Sequence, residues 1–238
     1  MTAVHVAASA EEAAHWAADR IAEGVDEARG ARGAAHLALA GGTTPRRAYE
    51  LLASGIDDWA GVEIWFGDER AVGPQDPDSN YRMVAETLLA TGREGIPRAH
   101  RMEGERGADG AARAYAAELL ERLPLDEQGV PVLDLALLGL GPDGHTASLF
   151  PGSPALAADG VCAAVHGAPK PPPDRITLTV PVLRAARRVV FLATGADKAE
   201  AVEGLLRGPD PSLPASLLAG PRTELIVDSA AGRGIASR

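Results

Sequence analysis

Short, continuously apolar runs alternate along this chain with longer segments whose apolar residues recur every three or four positions. The first pattern predicts strands buried on both faces, and the second predicts the helices that cover them. Strands are expected at residues 36–40, 62–66, 132–138, 175–180, 188–193 and 223–227. The first helix is announced by a capping box, Ser9-Ala10-Glu11-Glu12, and its periodicity runs to about residue 29. A second starts near Pro45, at an early position where a missing N–H does no harm. Others are expected over 80–90, over 109–122, and after Gly195 through Leu206. This alternation implies an α/β fold: a three-layer, mostly parallel Rossmann-like sheet with helices on both faces. No internal repeat or composition shift marks a linker, so residues 1–238 are expected to form a single domain.

In open α/β sheets ligands bind at the carboxyl ends of the strands, and helix starts favour anions. The chemistry is therefore expected in the turns at 41–45, 67–70, 139–146 and 194–198.

Composition narrows the partners. The net charge is −10, from 33 acidic and 23 basic residues, which argues against non-specific nucleic-acid binding. A small anionic substrate must then be met by a few local groups. No apolar run reaches the roughly eighteen residues of a membrane span, and the start of the chain lacks the signature of a signal peptide. Cys162 is the only cysteine, so no internal disulfide is possible and a reducing compartment fits. The expectation is a soluble, cytosolic protein.

Residues 139–144 match Gly-x-Gly-x-x-Gly, the dinucleotide pattern. The match lies past the middle of the chain, and Asp143 would bring negative charge to the place of a pyrophosphate, so that reading is set aside. His145 is expected to open a helix directly after this turn. Near neutral pH it can accept a proton, and Asp143 could orient its ring. His5, His15, His36, His100 and His166 are read as structural. Thr146 and Ser148 are nearby hydroxyls, but no Gly-x-Ser-x-Gly elbow surrounds Ser148.

Asp68-Glu69-Arg70 reads either as a surface ion-pair cluster or as a place where Arg70 holds a phosphate or carboxylate through its fork. Gly41-Gly42-Thr43-Thr44 is an ordinary strand-to-helix turn or a cradle for oxyanions. The chain has two lysines, Lys170 and Lys198. Lys198 sits at a helix start, where a cation is unfavourable unless an anion lies near, so a phosphate contact is expected there. Lys170 and Arg175 bracket a stiff proline run, with their roles open. The chain lacks His-Glu-x-x-His and paired cysteines, so no metal and no cofactor are expected.

Taken in order, Leu39–Pro45, Trp65–Arg70, Asp76–Tyr81, Gly139–Gly152, Arg175–Thr179 and Thr194–Lys198 resemble the 6-phosphogluconolactonase family over nearly the whole chain. The Gly-Asp-Gly-His segment is the most specific of these, and the Gly-Gly-Thr-Thr turn the least. The resemblance implies a fold shared with glucosamine-6-phosphate deaminases, ribose-5-phosphate isomerases and the sugar-binding domains of some bacterial regulators. It implies hydrolysis of 6-phosphoglucono-lactone in the oxidative branch of the pentose phosphate pathway. His145, Asp143 and Arg70 would act in catalysis. Gly41, Gly42, Thr43, Thr44, Asp68, Arg70, Gly144, Lys170, Arg175 and Lys198 would contact a sugar-phosphate lactone. The alternatives are a deaminase-like enzyme and a non-catalytic sugar-phosphate binder. The deaminases carry Phe-Asn-Glu-Pro where this chain has Ser148-Leu149-Phe150-Pro151, and Asp-Glu-Tyr where it has Asp68-Glu69-Arg70. A regulator would add a DNA-binding domain. The expected assembly is a monomer or weak homodimer, with no nucleic acid and no membrane.

Overall fold

The computed structural model describes residues 1–56, 58–90 and 97–235. Its main sheet has seven strands, β1 (Ala3–Ala7), β2 (Ala35–Leu39), β3 (Val62–Phe66), β5 (Arg98–Ala99), β6 (Leu135–Gly139), β9 (Arg188–Ala193) and β10 (Thr223–Asp228). They lie in the order β1-β10-β9-β6-β2-β3-β5, and every pairing is parallel. From β2 the chain steps outward to β3, whereas from β6 it steps the other way to β9. The β2–β6 boundary is thus the switch point at which an open α/β sheet leaves a crevice.

The expected α/β architecture is therefore present. A second sheet was not foreseen: β4 (Asp68–Arg70), β7 (Cys162–Val165) and β8 (Arg175–Leu178) pair antiparallel in the order β4-β8-β7. The run at 175–180 is thus a strand of this small sheet and not of the parallel one. Gly67 is the pivot between the two sheets. Its N–H donates to the Leu39 carbonyl of β2 at 3.1 Å, and its own carbonyl accepts from Leu178 N–H at 2.8 Å. Asp68–Arg70 consequently leave β3 as a paired strand, where the sequence suggested a turn.

Helix α1 (Ala10–Arg32) is capped by Ser9, and Glu12 reaches back past that cap to Ala8. The Ser9 hydroxyl accepts from Glu12 N–H at 3.2 Å, and the Glu12 carboxylate accepts from Ala8 N–H at 2.6 Å. Its buried stripe is mostly small, Ala13, Ala14, Ala17, Ile21, Gly24, Val25 and Ala28, so the helix packs closely across β2, β6, β9 and β10. Helix α2 (Thr43–Gly55) packs on α1, and Pro45 stands in its first turn. The expected helix over 80–90 divides into α3 (Asn80–Val84) and a π-helical turn, Ala85–Leu89. Helix α4 (Ala108–Arg122) covers β7 and β8, while α5 (Val180–Ala185) precedes β9 in the chain and α6 (Ala199–Arg207) follows it.

Two expectations are corrected by local hydrogen bonding. The strand expected over 132–138 starts only at Leu135, and just ahead of it the Asp134 carboxylate takes the His36 N–H of β2 at 2.9 Å. No helix follows His145. Gly144 and Ala147 have φ of 78° and 48°, which a right-handed helix cannot include. The Gly141 N–H instead closes the turn on the His145 carbonyl at 2.8 Å.

Candidate active site

The site is built at the carboxyl ends of β2, β6 and β9. β2 gives way to Gly41–Thr44 and the first turn of α2. β6 gives way to the turn 140–146, and β9 to Thr194 and the single 3-10 turn Ala196–Lys198 ahead of α6. Thr44 and Thr194 bridge two of these turns through their hydroxyls, 3.3 Å apart. A cavity of about 330 Å³ opens between them. Gly41, Gly42, Thr43, Thr44, Asp68, Arg70, His145, Lys170, Arg175 and Lys198 all line it. Residues spread over some 160 positions of sequence thus meet at the switch point.

His145 is the group best placed to move a proton. Its Nδ1 is hydrogen-bonded to an Asp143 carboxylate oxygen, and its ring leans on Phe150 with centroids 4.7 Å apart. Gly141 permits this arrangement, since a Cβ there would overlap both the imidazole and the Asp143 carboxylate. Burial pushes the His145 pKa below its ordinary 6.5, and the Lys170 charge adds to the fall, while Asp143 opposes it. For Asp143, burial alone would raise the carboxyl, but the hydrogen bond and charge of His145, with Lys170 beyond, hold it below its ordinary value. The result near neutral pH is an uncharged imidazole beside a carboxylate, with Nε2 free of any protein partner among the described residues.

The second wall is a clasp between β4 and the start of α3. Glu69 is buried and accepts from four donors: the N–H groups of Arg70 (2.8 Å), Asn80 (2.7 Å) and Tyr81 (2.8 Å), and the Ser79 hydroxyl (3.0 Å). Asp68 accepts the Ser148 hydroxyl at 2.6 Å and the Asn80 amide at 3.1 Å. Ser148 is thereby wholly buried and occupied, consistent with its missing nucleophile elbow. The Arg70 guanidinium donates to the Asp78 carbonyl at 2.5 Å, while its Nε is buried without a partner. Among the described residues it is the one such donor on the cavity wall, and an unpaired buried cationic donor favours an incoming anion.

Gly144 and Lys198 stand differently from the sequence expectation, and Asp143 does not. Gly144 is turned away from the cavity: its carbonyl accepts from Ala215 N–H at 2.9 Å and its Cα faces Leu213. Asp143 stands behind His145 and off the lining, hydrogen-bonded to Nδ1, where the sequence expected it to orient that ring. Lys198 has an anion beside it, but this is the Asp197 carboxylate at 3.1 Å. Sequence reasoning assigned no role to Asn80, whose amide donates to the Asp68 carbonyl at 2.8 Å and whose side chain fills the space a Cβ on Gly41 would need. It also gave none to Phe150, which supports both His145 and Arg175. Neither residue type announces such a supporting role.

No helix among the described residues is long and apolar enough to cross a membrane. The family model for glucosamine-6-phosphate isomerases/6-phosphogluconolactonase matches residues 8–227. The chain belongs to this family. Among curated relatives of this glucosamine-6-phosphate isomerase/6-phosphogluconolactonase member, a 6-phosphogluconolactonase from Streptomyces coelicolor is 40% identical over 231 residues, covering 92% of this chain and 88% of that one. The solved 6-phosphogluconolactonase from Trypanosoma brucei superposes with a TM-score of 0.89 at 29% identity, covering 99% of both chains. A monomeric glucosamine-6-phosphate deaminase also superposes, with a TM-score of 0.80 at 23% identity over 98% of this chain and 99% of that one, which shows the shared fold alone.

Proposed function

We propose that this cavity hydrolyses 6-phosphoglucono-lactone to 6-phosphogluconate, the oxidative pentose phosphate step, with His145 as its general base. The observation that carries the mechanism is the Asp143–His145 pair: an imidazole held neutral by burial, with one nitrogen fixed and the other free, in a cavity walled by Arg70, Lys170 and Lys198.

Water placed at Nε2 gives its proton to His145 as its oxygen adds to the lactone carbonyl. The negative charge then sits on the former carbonyl oxygen, and Arg70 or the backbone N–H groups of the turns stabilise it. Collapse re-forms the carbonyl and breaks its bond to the ring oxygen, which takes the proton back from the imidazolium. The chain is opened and the base is restored. Asp143 stabilises the imidazolium between these two transfers.

The 6-phosphate is held by Lys198 and by the start of α2, where the Gly41–Thr44 turn offers N–H groups at the positive end of a helix of 13 residues. Arg70, on the wall formed by β4, helps to place the lactone. Arg175 takes a different part from the one expected. It is only 4% exposed, and its Nε and Nη2 already donate to the carbonyls of Pro172 (3.0 Å), Lys170 (3.1 Å) and Pro171 (3.2 Å). Its contribution is to shape the loop beside the substrate. The whole chain acts as one domain, in the cytoplasm, as a monomer or weak homodimer.

A deaminase reading finds no support at residues 148–151, where Ser148, Leu149 and Phe150 are all buried and no carboxylate is present. The test generates the lactone in situ and follows acid release above the spontaneous rate, with glucosamine-6-phosphate in parallel. Fast lactone opening without ammonia release is expected. Ammonia from the amino sugar, or no acceleration with the lactone, would overturn the reading.

A further inference from the structure

The hairpin between β7 and β8 joins the small antiparallel sheet to the catalytic cavity. Its ends are closed by the Ala168 N–H donating to the Pro173 carbonyl at 2.8 Å, and the Ala71 N–H ties Asp174 to the end of β4 at 2.9 Å. Inside the hairpin lies the Arg175 guanidinium, packed over the Phe150 ring at 5.6 Å and bonded to three consecutive backbone carbonyls, those of residues 170, 171 and 172. Burying a guanidinium without a carboxylate partner is costly, and burial does push Arg175 below its ordinary value. A fixed fork that satisfies three carbonyls in a row sets the path of a loop that prolines alone would only stiffen. The residue at the head of that path is Lys170, exposed at the rim and lining the same cavity as His145.

We infer that Arg175 is a positioning residue whose bonds to the 170–172 carbonyls place the Lys170 ammonium at the mouth of the cavity that His145 lines. This deepens the function proposed above and rests on His145 as the base. The charged groups that bear most on the imidazole are Asp143 from its own turn, Asp68 from β4 and Lys170 from the hairpin, and Arg70 of β4, Arg175 of the hairpin and Lys198 ahead of α6 line the same cavity. The two carboxylates favour the imidazolium, and Lys170 is the cation set against them. Without it, the base would hold its proton more tightly on the acid side of neutrality and be partly idle there.

The test is an NMR titration of the His145 ring in the substrate-free protein, made on wild type, Lys170→Met, Arg175→Lys and the double variant. Arg175→Lys keeps a positive charge but cannot span three carbonyls, so it isolates placement from charge and spares the fold better than alanine. Loss of Lys170 is expected to raise the His145 midpoint by about half to one pH unit, the size of a nearby partly solvated charge. Arg175→Lys is expected to raise it in the same direction, and the double variant to go no further than Lys170→Met. The acid limb of kcat/KM should move with the midpoint. A midpoint unmoved in Lys170→Met would overturn the inference, and so would an Arg175→Lys shift that adds in full to that of Lys170→Met. Because the titration needs no turnover, a shift of the expected kind in a protein that fails to open the lactone would sink the proposed activity and leave this placement standing.

Discussion

Of the histidines gripped by carboxylates, His145 and His100 are the two set into the fold, and only the first is free to act. At the cavity, Asp143 holds Nδ1 of His145 and Nε2 is left open. At the far edge of the sheet, just after β5, His100 has Nδ1 on Glu118 at 2.6 Å and Nε2 on Glu63 at 2.7 Å, with its ring stacked on Trp65 at 4.0 Å. His100 is 3% exposed and joins β3, β5 and α4 through one side chain. The same two residue types thus give a base in one place and a rivet in the other. The difference is occupancy: a nitrogen can take a proton from water only if no protein acceptor already claims it.

The largest expected effect sits on the first histidine. His145→Ala should lower kcat by about 10²–10⁴-fold, the usual contribution of general base catalysis, while KM and thermal stability stay near wild type. Steady-state kinetics beside a melting curve read both halves of that statement. His100→Ala should do the reverse. It strands Glu63, while Glu118 keeps Arg122 at 3.2 Å and both carboxylates keep some solvent, so the loss is expected near the lower end for a broken buried pair, about 3 kcal/mol. In a chain of this length that is a fall in Tm of roughly 6–12 °C, with kcat unchanged below the transition. A His100 variant that melts normally but turns over slowly would break the comparison. His166 sharpens it from the other side. It too meets two carboxylates, Asp174 and Asp109, each at 3.1 Å, but all three side chains are exposed to solvent, so His166→Ala should leave Tm unmoved in a melting curve.

The sequence made the cavity far more legible than the rivet. The strand-end turns at 41–45, 139–146 and 194–198 carry glycines and charges whose placement has a direct chemical reason, and all of them meet at the β2–β6 boundary. Glu63, His100 and Glu118, by contrast, come from a strand, a strand exit and a helix, with no spacing that pairs them. Their meeting depends on the register that puts Glu63 opposite Arg98 and on how α4 packs. The small sheet was hidden for a similar reason. Residues 175–178 look like any buried strand, and only the Gly67 pivot decides that they pair with β4 instead of joining the parallel set. The missing helix after His145 follows from two left-handed backbone positions, of which Ala147 gives no warning in its side chain.

With His145 as the base, turnover depends on its uncharged form, and the pH dependence of kcat/KM in wild type and His145→Ala tests this most directly. Burial depresses the His145 pKa, so the active neutral form should persist below pH 6.5 and be lost only as pH falls through that lower value. Wild type should therefore show an acid limb centred below 6.5, above which the rate is level, and His145→Ala should be slow with no such limb. An acid limb that survives the substitution at undiminished rate would show that another group takes the proton.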